Sequence, residues 1–135
     1  MNGVFIYLIG FAGCGKLTIA NAIQARVDCI LVDNHRINNI IFSLLDPDGE
    51  TRLPEKVWEN VSLVRSAVFD TIRHLAQPGR NFIFTNELLE GDERARKVFL
   101  DIAELARDRK ASCTTDDFTR RITPQGCFAR SCGAV

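Results

Sequence analysis

Charge of one sign is the first thing this chain lacks: seventeen basic and seventeen acidic residues cancel to a formal net charge of zero. No global field then draws it to nucleic acid or to an anionic membrane, so any nucleic-acid role has to be local and is disfavoured. Long apolar runs are also missing. The run Val4 to Ile9 follows Met1-Asn2-Gly3 without a basic segment, and it is too short for a signal-peptide core or a membrane span. The expectation is a cytoplasmic protein with no membrane partner. Cysteine is neither even in number nor paired. The five cysteines include no Cys-x-x-Cys spacing, and His35 and His74 are too scattered to complete a ligand set, which argues against a disulfide framework and against a zinc site. Internal repeats and low-complexity tracts are absent too.

What is present suffices for one packed domain. A chain of 135 residues with 46% hydrophobic content can bury a core without disulfides or structural metal. The stretch that organises the rest is Gly10-Phe11-Ala12-Gly13-Cys14-Gly15-Lys16-Leu17-Thr18, which follows the apolar run and opens a helical pattern. Gly, four residues, Gly, Lys is the spacing of a phosphate-binding loop, in which backbone N–H groups surround a phosphate and the lysine reaches its oxygens. A helix beginning near Lys16 aims its unpaired amides and positive dipole end at the same anion. Gly10, Gly13, Cys14, Gly15, Lys16, Leu17 and Thr18 are therefore the candidate nucleotide-binding residues. Leu17 stands where the usual motif has a metal-binding Ser or Thr. Thr18 is the candidate that replaces it, with back-bonding inside the first helical turn as the plainer reading. Cys14 is either a small residue in a serine-like slot or a thiol made oxidation-sensitive by the helix end.

Apolar spacing from Leu17 to Val27 predicts a helix, and Cys29-Ile30-Leu31-Val32 a buried parallel strand ending at Asp33. In open α/β sheets ligands bind beyond the carboxyl ends of the strands, which puts Asp33 in the same crevice as Lys16. Three roles fit it: accepting a proton from an acceptor hydroxyl, holding Mg²⁺, or capping the helix predicted over Ile37 to Leu45. After the polar turn Asp46 to Arg52, a long amphipathic helix is expected over Glu55 to Ala76, with Val57, Val61, Val64, Val68, Ile72 and Leu75 as its stripe. Arg65 is offset from that stripe and is either solvated or directed at substrate. Phe82-Ile83-Phe84 reads as a third strand running into Thr85-Asn86-Glu87, where many phosphate-loop proteins carry an Asp. Asp92 should cap a helix containing Val98, Phe99, Ile102, Leu105 and Ala106. Beyond it a fourth strand begins at Ala111-Ser112-Cys113 and looks cut short by Thr114-Thr115-Asp116-Asp117; a short helix over Phe118 to Ile122 follows.

These segments resemble the P-loop small-molecule kinase group, which includes shikimate kinase, gluconate kinase, chloramphenicol phosphotransferase-like proteins and nucleoside monophosphate kinases. Gly-Lys-Leu-Thr-Ile-Ala, Val-Asp-Asn-His-x-Ile-Asn-Asn and Phe-Ile-Phe-Thr-Asn-Glu-Leu are most similar to bacterial proteins labelled AAA-family ATPase or shikimate kinase-like. The resemblance covers roughly residues 3 to 110. It implies a three-layer α/β/α fold with a parallel sheet in the order 2-3-1-4-5, the last strands reduced or missing. The expected division is a kinase-like core over 1–110 and a divergent segment of the same domain over 111–135. It further implies ATP and Mg²⁺, a small-molecule phosphoryl acceptor, Lys16, Asp33 and Arg121 as catalytic residues, and Thr18 and Asp33 toward the metal. Thr119-Arg120-Arg121-Ile122 resembles part of an arginine lid. Two alternatives stay open: a nucleotide-binding or regulatory protein without transferase activity, motivated by Leu17 and by the missing strand-end Asp, and a nucleic-acid 5′-end kinase, suggested by the spacing Asp33-x-x-Arg36.

Overall fold

Alternate residues of the first strand face opposite ways, and this alternation sorts the core into two layers. A computed structural model describes residues 2–87 and 91–117. Its elements are β1 (Val4–Ile9), α1 (Lys16–Gln24), β2 (Cys29–Asp33), α2 (Asn34–Phe42), α3 (Glu55–His74), β3 (Asn81–Asn86), α4 (Glu93–Asp108) and β4 (Ser112–Asp117). All strand pairs are parallel, in the order β2-β3-β1-β4. This matches the first four places of the predicted order, and the chain has the α/β architecture expected from its sequence.

Phe5, Tyr7 and Ile9 of β1 pack with Phe82 and Phe84 of β3 against Phe69 and Ile72 of α3 and Val98, Ile102 and Leu105 of α4. On the opposite face Leu8 and Ile83 meet Cys29 and Ala20 of α1. Right-handed crossovers dictate this division. The step from β1 to β2 runs one way along the sheet and the later steps run the other, so α1 lies opposite α3 and α4. Phe5, Tyr7, Ile83, Phe84 and Leu105 are almost wholly enclosed, and burying each such side chain contributes about 1.5–3 kcal/mol.

Several element boundaries differ from the sequence reading. β2 was expected to be buried, but among the described residues it is an edge strand that pairs only with β3, and Ile30 is 41% exposed. α1 ends at Gln24, and Leu17 and Val27 are exposed; its inward residues are Ile19, Ala20 and Ile23. α2 begins directly at Asn34 rather than at Ile37. α3 stops at His74, Leu75 lies at its C-cap 78% exposed, and Phe69 supplies a core contact that the valine stripe did not indicate. β4 is not cut short: it pairs with β1 from Ser112 to Asp117 despite its polar sequence. The hydrogen-bonding ladder there is a backbone property, and a strand beside a fully buried neighbour does not need an apolar run of its own. Asp92 caps α4 as expected, accepting from the amides of Arg94 and Ala95. The helix expected over Phe118 to Ile122, together with Arg120, Arg121 and Arg130, lies outside the described residues.

Candidate functional site

The three strands β2, β3 and β1 end side by side, with Asp33 opposite Thr85 and Ile9 opposite Asn86. At about 4.8 Å per strand, the loop leaving β1 lies about 10 Å from Asp33 along this edge. The Gly10 amide donates to the Asn86 carbonyl at 3.3 Å, which fixes where the loop departs. Gly13 and Gly15 then take φ of +75° and +91°. A side chain would be strained at either position, yet a Cβ there would meet no atom within 4 Å. The glycines thus serve backbone conformation and leave open space beside the loop. α1 opens at Gly15 with no side-chain cap. Its first backbone bond joins the Ile19 amide to the Gly15 carbonyl at 3.0 Å, so the amides of the first turn are available to an anion. Open space beside the loop and unbonded first-turn amides suit phosphate chemistry.

Lys16 is in a different place from the one expected of a lysine extended toward phosphate. Its ammonium folds over the loop and donates to the carbonyls of Gly10 at 2.8 Å and Phe11 at 2.6 Å, with the Cys14 sulfur 3.7 Å away. The side chain is only 9% exposed, so this cation is held by the loop's own carbonyls. The Cys14 amide is also tied internally, to the Phe11 carbonyl at 3.3 Å. Leu17 and Thr18 are exposed at the start of α1. The Thr18 hydroxyl makes no hydrogen bond among the described residues, so the anticipated back-bonding does not occur.

Asp33 occupies the N-cap position of α2, but its carboxylate does not cap the helix. Instead Oδ1 accepts from the Thr85 hydroxyl at 2.6 Å, and the Thr85 oxygen in turn accepts from the Asn34 amide at 3.2 Å. Threonine therefore relays the capping role and anchors the carboxylate across the strand pair. Oδ2 has no partner among the described residues, and no side-chain oxygen there is both fully enclosed and unpaired. Oδ2 is thus open to a proton or a cation. Thr18 and Asp33 share no hydrogen bond, and among the described residues no three His, Cys, Asp or Glu side chains converge on a metal position. Asp33 Oδ2 is the carboxylate oxygen at this edge that could hold a divalent cation.

Three participants were not legible in the sequence as partners. The Glu87 carboxylate accepts from the Ala12 amide at 2.7 Å, placing a negative charge on the loop between β1 and α1. Asn86 donates through Nδ2 to the Tyr7 hydroxyl at 3.0 Å. Burial pushes the Tyr7 phenol up to about 12, with the Asn86 hydrogen bond and the Arg65 charge opposing. Arg65 donates to Asn34 Oδ1 at 2.7 Å and Asn38 Oδ1 at 3.2 Å, and burial lowers its pKa from the ordinary value while Tyr7 and Asp101 oppose the shift. A strand-end Thr-Asn-Glu was the only signal for the first two pairings. The offset of Arg65 from the valine stripe was the signal for the third.

No protein-family model matches the chain, and no curated protein sequence matches it. Solved structures do. A presumptive kinase from Chloroflexus aurantiacus J-10-fl superposes with a TM-score of 0.60 at 15% identity over 84% of this chain and 58% of that one. A chain of the Pnkp1/Rnl/Hen1 complex superposes with a TM-score of 0.53 at 14% identity, over 96% of this chain and 43% of that one. The APS kinase CysC of Mycobacterium tuberculosis gives a TM-score of 0.47 at 12% identity, covering 93% and 82%. The chain thus spans little more than half of the first of these proteins and less than half of the second. At such identities the likeness to the first two establishes the fold alone: a parallel α/β sheet with helices on both faces, of the class expected from the sequence. It does not single out the shikimate kinase subgroup. No helix among the described residues is long and apolar enough to cross a membrane.

Proposed function

We propose that this chain binds ATP at the loop from Gly10 to Thr18 and transfers its γ-phosphoryl to a hydroxyl of a small molecule. The observation that carries the reading is the open loop between β1 and α1, with Gly13 and Gly15 left-handed and the uncapped start of α1 beside Lys16. ATP with Mg²⁺ would supply the transferable phosphoryl group. Lys16 would exchange its carbonyl partners for phosphate oxygens, a swap of neutral acceptors for charged ones that favours the bound state. Asp33, oriented by Thr85 and open at Oδ2, would accept the proton of the attacking hydroxyl. Arg121 and its neighbours are the proposed lid cations. The kinases among the structural neighbours support this reading. The test is ATP consumption by the purified chain with Mg²⁺ across a panel of small hydroxyl compounds. Stimulation by one compound, lost in Asp33→Asn with ATP binding retained, is the expected result. No stimulation by any compound argues against transfer.

The second reading, nucleotide binding without transfer, is favoured by one specific feature: Glu87 and the folded Lys16 occupy the loop's hydrogen-bonding groups from within. Saturable ATP binding with no acceptor-dependent turnover would select it. A 5′-end kinase is supported by Arg36, exposed on α2 three residues beyond Asp33, and by the Pnkp1/Rnl/Hen1 chain among the structural neighbours, and steep salt dependence of oligonucleotide binding would favour it.

A further inference from the structure

Between α3 and α4 lies a cavity of about 90 Å³ lined by Ser62, Arg65, Ser66, Arg94, Lys97 and Asp101. That volume is well above the ~10–15 Å³ needed to admit one water. The buried Phe69 and Val98 form its apolar part and Arg65 is half-buried, while Ser62, Ser66, Arg94 and Lys97 are exposed around them. Two of its three cations are already neutralised: Lys97 pairs with Asp101 at 2.7 Å, and Arg94 pairs with Glu55 at 2.6 Å while lying over the Trp58 ring at 5.1 Å. Arg65 is not. Among the described residues no carboxylate lies within ion-pair distance of it, and its partners are the neutral side-chain oxygens of Asn34 and Asn38. Half-buried arginines are costly without a counter-charge. A guanidinium held this way, with two serine hydroxyls beside it, is a receptor for a compact oxyanion.

The cavity is also wired to the proposed catalytic carboxylate. Arg65 holds the Asn34 side chain, the Asn34 amide donates to Thr85, and Thr85 donates to Asp33. We infer that the Arg65 cavity is the anion subsite of the phosphoryl acceptor, so that the acceptor is an acidic small molecule carrying a phosphate, sulfate or carboxylate group a short distance from its reactive hydroxyl. The assignment to the acceptor rests on the kinase reading; the anion subsite itself does not.

The two are separated by experiment. Inorganic phosphate is titrated calorimetrically into the full-length Lys16→Ala chain at fixed ionic strength, where the loop is impaired and the cavity is intact. Saturable one-to-one binding is expected, weakened about ten-fold or more by adding Arg65→Gln and less by Arg65→Lys, which keeps the charge and loses the fork. Lys97→Gln, at an exposed position, should weaken it about three-fold and keeps the test open if Arg65→Gln fails to fold. Sulfate competing better than acetate indicates a tetrahedral group, and the reverse a carboxylate. No saturable phosphate binding in Lys16→Ala, or the same affinity after the Arg65 and Lys97 substitutions, overturns the subsite. If phosphate binds as stated but acidic hydroxyl compounds fail to raise ATP consumption, the kinase reading falls and the anion site stands. Equal stimulation by neutral and acidic compounds overturns the assignment to the acceptor.

Discussion

The Asp33 carboxylate is bound to the Thr85 hydroxyl at 2.6 Å across two parallel strands, and both side chains are buried. A hydrogen bond to a charged group in such a place is worth about 1.5–3 kcal/mol, and removing the donor leaves the carboxylate poorly solvated. Thr85→Val should therefore lower unfolding free energy by about 2 kcal/mol in urea denaturation, while Thr85→Ser keeps most of the stability. A Thr85→Val chain as stable as the parent would show that the bond contributes nothing.

Glu87 places its charge against the loop amide of Ala12. Glu87→Gln keeps an acceptor oxygen and removes the negative charge, so nucleotide phosphates should bind several-fold more tightly without Mg²⁺, corresponding to about 1 kcal/mol for partly exposed charges. Equilibrium binding of a fluorescent ATP analogue measures this. Weaker binding in Glu87→Gln would mean that the carboxylate supports the bound loop instead.

Tyr7 is the sole tyrosine of the chain, so the ultraviolet absorbance of its phenolate reports one group. Burial raises its pKa from 10.0 to about 12. A raised folded pKa means that the native state holds the proton more tightly than the unfolded one. The associated stability is complete below pH 10 and is lost as pH rises through 12, and two pH units correspond to about 3 kcal/mol. Native chain should titrate near pH 12 and urea-unfolded chain near 10; coincident curves would contradict the burial account. Tyr7→Phe should flatten the alkaline loss of stability.

Asp92 caps α4 through the amides of Arg94 and Ala95. Asp92→Ala should cost about 1 kcal/mol, visible as a lower Tm, and Asp92→Ser should recover most of it. An unchanged Tm in Asp92→Ala would place the stability of α4 elsewhere.

Much of the fold was legible because it rests on local pattern. The glycine spacing before α1, the apolar run Phe82 to Phe84 and the Asp92 cap each declare themselves within a few residues. β4 did not, because Ser112 to Asp117 is held by ladder bonds to β1, and such bonds carry no side-chain signature. The exposure of Ile30 was equally hidden: a buried strand and an edge strand share the same run of β-formers, and only strand order separates them. At the site, residue types were readable but partners were not. Asp33 could be placed at the crevice by topology, whereas its bond to Thr85, the Glu87 contact at Ala12 and the Arg65 contact at Asn34 join residues 31 to 75 positions apart. Lys16 shows the same limit at short range, since the motif fixes its position but not whether its ammonium extends or folds back onto Gly10 and Phe11.

The most direct test is calorimetric titration of ATP with Mg²⁺ into the full-length chain and into Lys16→Ala. The account predicts saturable one-to-one binding to the parent, weakened about ten-fold or more by loss of the ammonium. Equal affinity in the two chains, or no binding to either, would contradict it.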